Sequence, residues 1–419
     1  MPLKIVSVVG ARPNFMKIAA ISDAIREYNA SSKTSGIEHI LVHTGQHYDA
    51  NMSEMFFNDL ELPRPNLFLG VGSGSHSVQT ARVMEGFEKV LLTEKPDVVI
   101  VVGDVNSTVA CALVTKKTYY SNGTGREFSP MLVHVEAGLR SFDRTMPEEV
   151  NRVVTDALAD HLFTTEESAN QNLRREGVPV EKIHFVGNVM IDTLLRYRLK
   201  AQESTILKDL HLYKDDLPKP YAILTLHRPA NVDDSETLSK ILDTFLDLSR
   251  YMPLVFPAHP RTLKQIQDAN LGDYFVDHFM DGPEPWDSRV RIRLVPPLGY
   301  LDFIHLMSAA KVVLTDSGGI QEETTILGVP CITLRENTER PVTLTHGTNV
   351  LVGSDCKKII DEFIRVANAQ RIVPPPPPFW DGNAAKRIIK ELIGTQVPWD
   401  KLYSSPHPEV RLRDNLQHS

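Results

Sequence analysis

Short apolar runs in this sequence end, one after another, in residues able to do chemistry. Val98–Val102 runs into Gly103-Asp104, Met131–Val135 into Glu136-Ala137-Gly138, and Tyr221–Leu226 into His227-Arg228-Pro229. A carboxylate at the end of a buried run can take or return a proton, and a histidine there can face an anion. Leu3–Val9 leads to Arg12, His39–His43 to Gln46, and Leu254–Pro257 to His259. Val312–Thr315 leads into Asp316-Ser317-Gly318-Gly319-Ile320-Gln321-Glu322-Glu323. There the small residues present backbone N–H groups at a helix start, where an anion is favoured and glycine permits close approach. One of the two glutamates can then point forward and accept from sugar hydroxyls. A diphosphate joined to a ribose fits such a site. An ordinary strand–turn–helix with Ser317 as N-cap fits the same residues.

The elements that must position these residues alternate from the start. Phe15, Ile18, Ser22 and Ile25 mark one face of a helix, with Pro13 at a first-turn position. Helices are expected at 77–92, 149–158, 166–175, 235–250, 357–369 and from Gly299 through Met307. Further strands are expected at 161–163, 183–186, 291–295 and 331–334. Such alternation means parallel sheets with helices on both faces, and ligands bind beyond the carboxyl ends of their strands. The expected fold is α/β, with two Rossmann-like, doubly wound parallel-sheet domains facing one cleft. The helix-rich stretch 188–216 separates two such units, residues 1–187 and 188–378. Pro374–Pro378 is a stiff linker, 383–393 a last helix, and 397–419 a surface tail.

Composition excludes several classes. The 419 residues are 42% hydrophobic and 23% charged, as in a globular protein with sizeable cores. A net charge of -8 argues against nucleic acid as a partner. The three cysteines, Cys111, Cys331 and Cys356, are scattered without metal spacing and suit a reducing cytosol. No stretch reads as a signal peptide or a membrane span, so a cytoplasmic location without membrane partners is expected.

Six motifs occur in order: Gly10-Ala11-Arg12-Pro13, Gly103-Asp104, His134-Val135-Glu136-Ala137-Gly138-Leu139-Arg140, Pro147-Glu148-Glu149-x-Asn151-Arg152, Asp316–Glu323 and Glu339-Arg340-Pro341. Together they resemble the non-hydrolysing UDP-N-acetylglucosamine 2-epimerase family, from about residue 3 to about residue 395. The resemblance implies the GT-B architecture, with the active site between the domains and a final helix, 379–396, crossing back to the first. It implies a homodimer acting on a UDP-sugar, with no cofactor and no metal. The implied reaction interconverts UDP-N-acetylglucosamine and UDP-N-acetylmannosamine through elimination of UDP, 2-acetamidoglucal and re-addition. The C2 hydrogen has no neighbouring carbonyl, so it becomes removable only as UDP leaves C1. Such an enzyme must hold a departing diphosphate and offer carboxylates near C2.

Position by position, the resemblance makes Asp104, Glu136, Glu148 and His227 catalytic. Taken singly, Asp104 reads as a helix N-cap, Glu148 as a first-turn residue and His227 as structural. Arg12, Lys17, Gln46 and Arg340 match substrate-contacting positions, although Lys17 alone reads as solvated charge. Ser317, Gly318 and Gly319 would hold the diphosphate and Glu323 the ribose, leaving Glu322 as a surface carboxylate. Uracil would lie near Leu298 and stack on Phe303, which reads equally as helix core. Asp49 stands where bacterial relatives have a glutamine in an activating site, which puts such activation in doubt. Competing readings are a hydrolysing epimerase, an epimerase of UDP-2,3-diacetamido sugar acids, a GT-B glycosyltransferase and a nucleotide-sugar-binding protein.

Overall fold

Buried valines and isoleucines dominate the strands because helices cover both sheet faces, leaving no polar side to show. The computed structural model describes residues 2–32, 36–46, 57, 59–121, 127–214, 217–277 and 292–394. The first sheet uses β1 (Leu3–Val9), β2 (Ile37–His43), β3 (Leu67–Phe68), β4 (Val98–Val102), β5 (Met131–Ala137), β6 (His161–Thr164) and β7 (Ile183–Phe185). Its seven strands are ordered β3-β2-β1-β4-β5-β6-β7, and every pairing is parallel. The second uses β8 (Ala222–Thr225), β9 (Leu254–Pro257), β10 (Phe275–Asp277), β11 (Ile292–Val295), β12 (Val312–Thr315), β13 (Cys331–Thr333) and β14 (Asn349–Leu351). Its order is β10-β11-β9-β8-β12-β13-β14, again parallel throughout. The fold is thus the expected two-sheet α/β arrangement.

Strand order reverses between β1 and β4 in one sheet and between β8 and β12 in the other. Chains leave opposite faces of the sheet at such points and open a crevice. Gly10–Arg12 and Gly103-Asp104 follow the first pair of strands; His227 and Asp316–Gly319 follow the second. The topology therefore brings the sequence's chemical residues to two crevices.

The helix Val189–Ala201, expected only to separate the halves, packs against both Arg12–Ser31 and Tyr300–Ala309. Its buried Val189, Ile191, Leu194 and Tyr197 join one core continuous with residues of each half. The last helix, Ala384–Gly394, lies on Arg12–Ser31, and its Ala384 and Ala385 amides donate to Asp192 at 3.1 and 2.7 Å. Buried Trp380 donates from Nε1 to the Thr165 carbonyl at 2.8 Å, fixing the chain's return.

The edge strands β3, β10 and β14 and the helix Pro260–Asp268 were not expected. The edge strands are two or three residues long and take their form from the neighbour they pair with. Among the described residues no helix is long and apolar enough to cross a membrane. Asn122-Gly123-Thr124-Gly125, which reads as a surface turn, lies outside the described residues, as do Asp49 and the tail from 397.

Candidate functional site

Glu136 ends an apolar strand in a conformation that a glutamate rarely adopts. Its φ is 72°, at a register shift between Val135 and Ala137, and it is 2% exposed. Such a bulge re-aims a side chain at a local backbone cost that the surroundings must hold in place. Lys17 Nζ lies 2.6 Å from Glu136 Oε2 and Arg340 Nη2 2.9 Å from Oε1. Lys17 is therefore not solvated surface charge: it is buried and paired. Gly103, at φ 64°, leaves the room, since a Cβ there would stand 2.8 Å from Lys17 Nζ.

Asp104 does not cap the helix Asn106–Lys117, whose N-cap position is Val105. Its Oδ2 instead accepts from Arg152 Nε at 2.9 Å, and Asn151 Nδ2 binds its carbonyl at 2.8 Å. Burial works to raise the Asp104 carboxyl, but Arg152, Lys17 and Arg340 outweigh it and hold it below the usual range. The buried His134 steadies this loop, with Nε2 2.8 Å from the Gly103 carbonyl and Nδ1 2.6 Å from Asp156. Glu148 sits in the first turn of Pro147–Leu158, half-buried, with Oε2 4.0 Å from Arg228 Nη1. Arg228 follows β8, so this contact also spans the two halves.

In the second half, Asp316 is fully buried at the end of β12. It accepts from the amides of His227 and Arg228 at 3.1 and 2.9 Å, and its Oδ1 lies 2.9 Å from His227 Nδ1. The His227 side chain is 42% exposed. Burial would raise the Asp316 carboxyl, but His227 and the donors from Arg228 and Asn231 hold it low. Ser317 occupies the N-cap position of Gly318–Leu327, yet its hydroxyl makes no capping hydrogen bond. A Cβ on Gly318 would meet Glu339 Oε1 at 2.6 Å and Arg340 Nη1 at 2.9 Å.

Arg340, a substrate-contacting position by resemblance, forks its guanidinium onto three carboxylates. Nε lies 2.8 Å from Glu322, Nη1 2.6 Å from Glu339 and Nη2 2.9 Å from Glu136. Glu322 is thus no surface residue: it is fully buried, with Asn188 Nδ2 2.9 Å from its Oε1. Burial pushes its carboxyl up, with Arg340 opposing and the Glu136 charge adding to the rise. Its place on the inward face follows from helical spacing, which the adjacent pair of glutamates hides in sequence.

Glu323 lies beside Tyr300, whose hydroxyl donates to Oε1 at 3.1 Å, and burial pushes its carboxyl up to about 7. Arg12 joins this group from the first half: its charge acts on Glu323, and its Nη2 is 3.4 Å from the Leu298 carbonyl. Phe303 is half-buried and packs on the shared core. Gln46 is not brought into the group. It is buried, and its Oε1 accepts from Ser107 N and Oγ at 2.9 and 2.7 Å, capping the helix that follows β4. His259 accepts from Arg261 N at 3.2 Å, and its ring stands 6.4 Å from that of His227.

The arrangement joins a cluster of carboxylates and fixed cations to a glycine-rich helix start and a carboxylate–histidine pair. It can move protons at a carbon and hold an anionic leaving group. Reasoning from sequence missed the partners: Arg152, Asp316, Glu322, Glu339 and Tyr300. All but Tyr300 lie inside motifs already singled out, so membership of those motifs was the available signal.

Known proteins match this chain over nearly its whole length. A family model described as UDP-N-acetylglucosamine 2-epimerase matches residues 29–393. The UDP-N-acetylglucosamine 2-epimerase of Methanocaldococcus jannaschii is 40% identical over 392 residues, covering 93% of this chain and 99% of that one. The UDP-2,3-diacetamido-2,3-dideoxy-D-glucuronate 2-epimerase of Pseudomonas aeruginosa is 37% identical over 393 residues, covering 93% and 99%. The crystal structure of Methanocaldococcus jannaschii UDP-GlcNAc 2-epimerase in complex with UDP-GlcNAc and UDP has a TM-score of 0.80 at 39% identity, covering 94% of this chain and 100% of that one.

Proposed function

Because the chain belongs to the UDP-N-acetylglucosamine 2-epimerase family, we propose that it interconverts UDP-N-acetylglucosamine and UDP-N-acetylmannosamine without net hydrolysis. The observation that carries this reading is Glu136, a buried carboxylate in a left-handed backbone conformation, held between Lys17 and Arg340 where the halves meet. Structural needs alone seldom place a glutamate so, whereas proton transfer at a fixed carbon does.

In the proposed reaction a carboxylate removes the C2 proton as the C1–O bond breaks and UDP departs with the bonding pair. The C1–C2 double bond of 2-acetamidoglucal results. A proton returned to the opposite face of C2, with UDP adding back to C1, gives the epimer. Asp104, Glu136 and Glu148 share the proton transfers. His227, Arg12 and the amides of Ser317, Gly318 and Gly319 face the diphosphate. Glu323 takes the ribose hydroxyls, and uracil lies between Leu298 and Phe303. In this reading residues 1–187 and the returning segment 379–396, which carries the helix Ala384–Gly394, form one domain, residues 188–378 the UDP-binding one, and two chains form a cytoplasmic homodimer.

A second reading, 2-epimerisation of a UDP-2,3-diacetamido sugar acid, is favoured by the 37% identity to the Pseudomonas aeruginosa enzyme. Incubation with each UDP-sugar in deuterated water separates the readings. Deuterium at C2 of both UDP-linked epimers is expected from UDP-N-acetylglucosamine. Release of free N-acetylmannosamine would instead mark a hydrolysing enzyme, and turnover of the diacetamido sugar alone would favour the second reading.

A further inference from the structure

The helix Pro147–Leu158 carries more of the site than Glu148. Arg152, one turn further on, is 2% exposed; its Nε donates to Asp104 Oδ2 at 2.9 Å and its Nη1 binds Glu149. Asn151, beside it, donates to the Asp104 carbonyl at 2.8 Å. Glu149 in turn accepts from Ser141 N and Oγ, both at 3.0 Å, and from Phe142 N at 2.9 Å. Phe142 itself is strained, at φ 60°. A single rigid helix thus presents Glu148 and grips Asp104 by both its side chain and its backbone.

We propose that Arg152 is a positioning residue of the epimerisation, whose fork fixes the Asp104 carboxylate relative to Glu148 and supplies charge that Asp104 requires. The proposal rests on the epimerase reading above. A lysine would supply the charge as a point, whereas the guanidinium can hold Asp104 and Glu149 at once. The charged groups facing Asp104 are Arg152, Lys17 from Arg12–Ser31 and Arg340 from the loop after β13; those facing Arg152 are Asp104, Glu149 and Glu339. With Arg152 removed, burial and the two remaining cations decide the protonation of Asp104.

The pH profile of kcat/KM is the test. In Arg152→Gln the acid limb should move up by about one to three pH units, the usual effect of losing an adjacent opposite charge. Its kcat should fall on the order of tenfold or more, with UDP affinity unchanged. A folded Arg152→Gln protein with the wild-type limb and turnover would overturn the proposal. If Arg152→Gln does not fold, Arg152→Lys decides. It should keep the acid limb in place and lose kcat on the order of tenfold at unchanged KM; wild-type kcat would overturn the need for the fork. Asp104→Asn separates the layers. Wild-type turnover there would sink the epimerase role of Asp104, whereas an inactive Asp104→Asn beside a fully normal Arg152→Gln would sink only the positioning role.

Discussion

Arg340 and Glu136 meet at 2.9 Å, one from each half of the chain, and both are buried. Ionised groups withdrawn from water are costly unless each is matched, and here Lys17 and Glu322 complete the match. Glu136→Gln should lower turnover of UDP-N-acetylglucosamine by at least about 10²-fold, the usual contribution of positioned acid–base catalysis. Loss of deuterium exchange at C2 should accompany it, with UDP still bound. Exchange at the wild-type rate would remove Glu136 from the proton path.

Glu323 gives a pH dependence of binding. Burial raises its carboxyl from 4.5 to about 7, so the folded chain binds a proton there that the unfolded chain releases. This group therefore favours the fold in acid, and its contribution is lost as pH rises from about 4.5 through about 7. If ribose hydroxyls donate to the carboxylate, affinity for UDP-N-acetylglucosamine must rise as pH increases through about 7. Calorimetry should show that rise in the wild type and a flat profile in Glu323→Gln. Glu323→Ala should weaken binding by about 1–3 kcal/mol. A wild-type affinity independent of pH would place the ribose elsewhere.

The two glycines that open Gly318–Leu327 should differ. A methyl on Gly318 collides with Glu339 and Arg340, which are locked in ion pairs, whereas one on Gly319 meets only the flexible end of Met190, at 3.0 Å. Gly318→Ala should cost roughly 1–3 kcal/mol of stability and much of the turnover. Gly319→Ala should fold normally. Thermal unfolding of the pair reads this directly, and equal effects would mean that the Arg340 cluster can yield.

Asp316→Asn places an amide where His227, Arg228 and Asn231 all donate. A loss of about 1–3 kcal/mol is expected for the unmatched buried group, with turnover reduced as His227 loses its orientation. The Asp316 carboxyl is held low, so its stabilisation is present above the ordinary carboxylate range near 3.8 and is lost as pH falls. Urea denaturation should therefore show a gap between wild type and variant at pH 7 that narrows in acid. A gap independent of pH would mean that the Asp316 charge contributes little.

The sequence by itself determined the two parallel sheets, because buried strands between helices must be apolar along their whole length and Val98–Val102 or Leu254–Pro257 can be nothing else. It also determined that chemistry sits at strand ends, since a polar residue following such a run must emerge at the sheet's edge. The edge strands β3, β10 and β14 escaped, because pairing with a neighbour, not composition, makes them extended. What only the tertiary structure decided is which charges meet. Taken singly, Lys17 reads as solvated and Glu322 as exposed, yet each is buried, Lys17 against Glu136 and Glu322 against Arg340 and the distant Asn188. Taken singly, Asp104 reads as a helix cap; in the structure it is the partner of Arg152, 48 residues further along the chain. Local sequence fixes backbone conformation and the burial of a run. The pairing of buried charges is a property of two crevices facing each other, and no single stretch of the chain contains it.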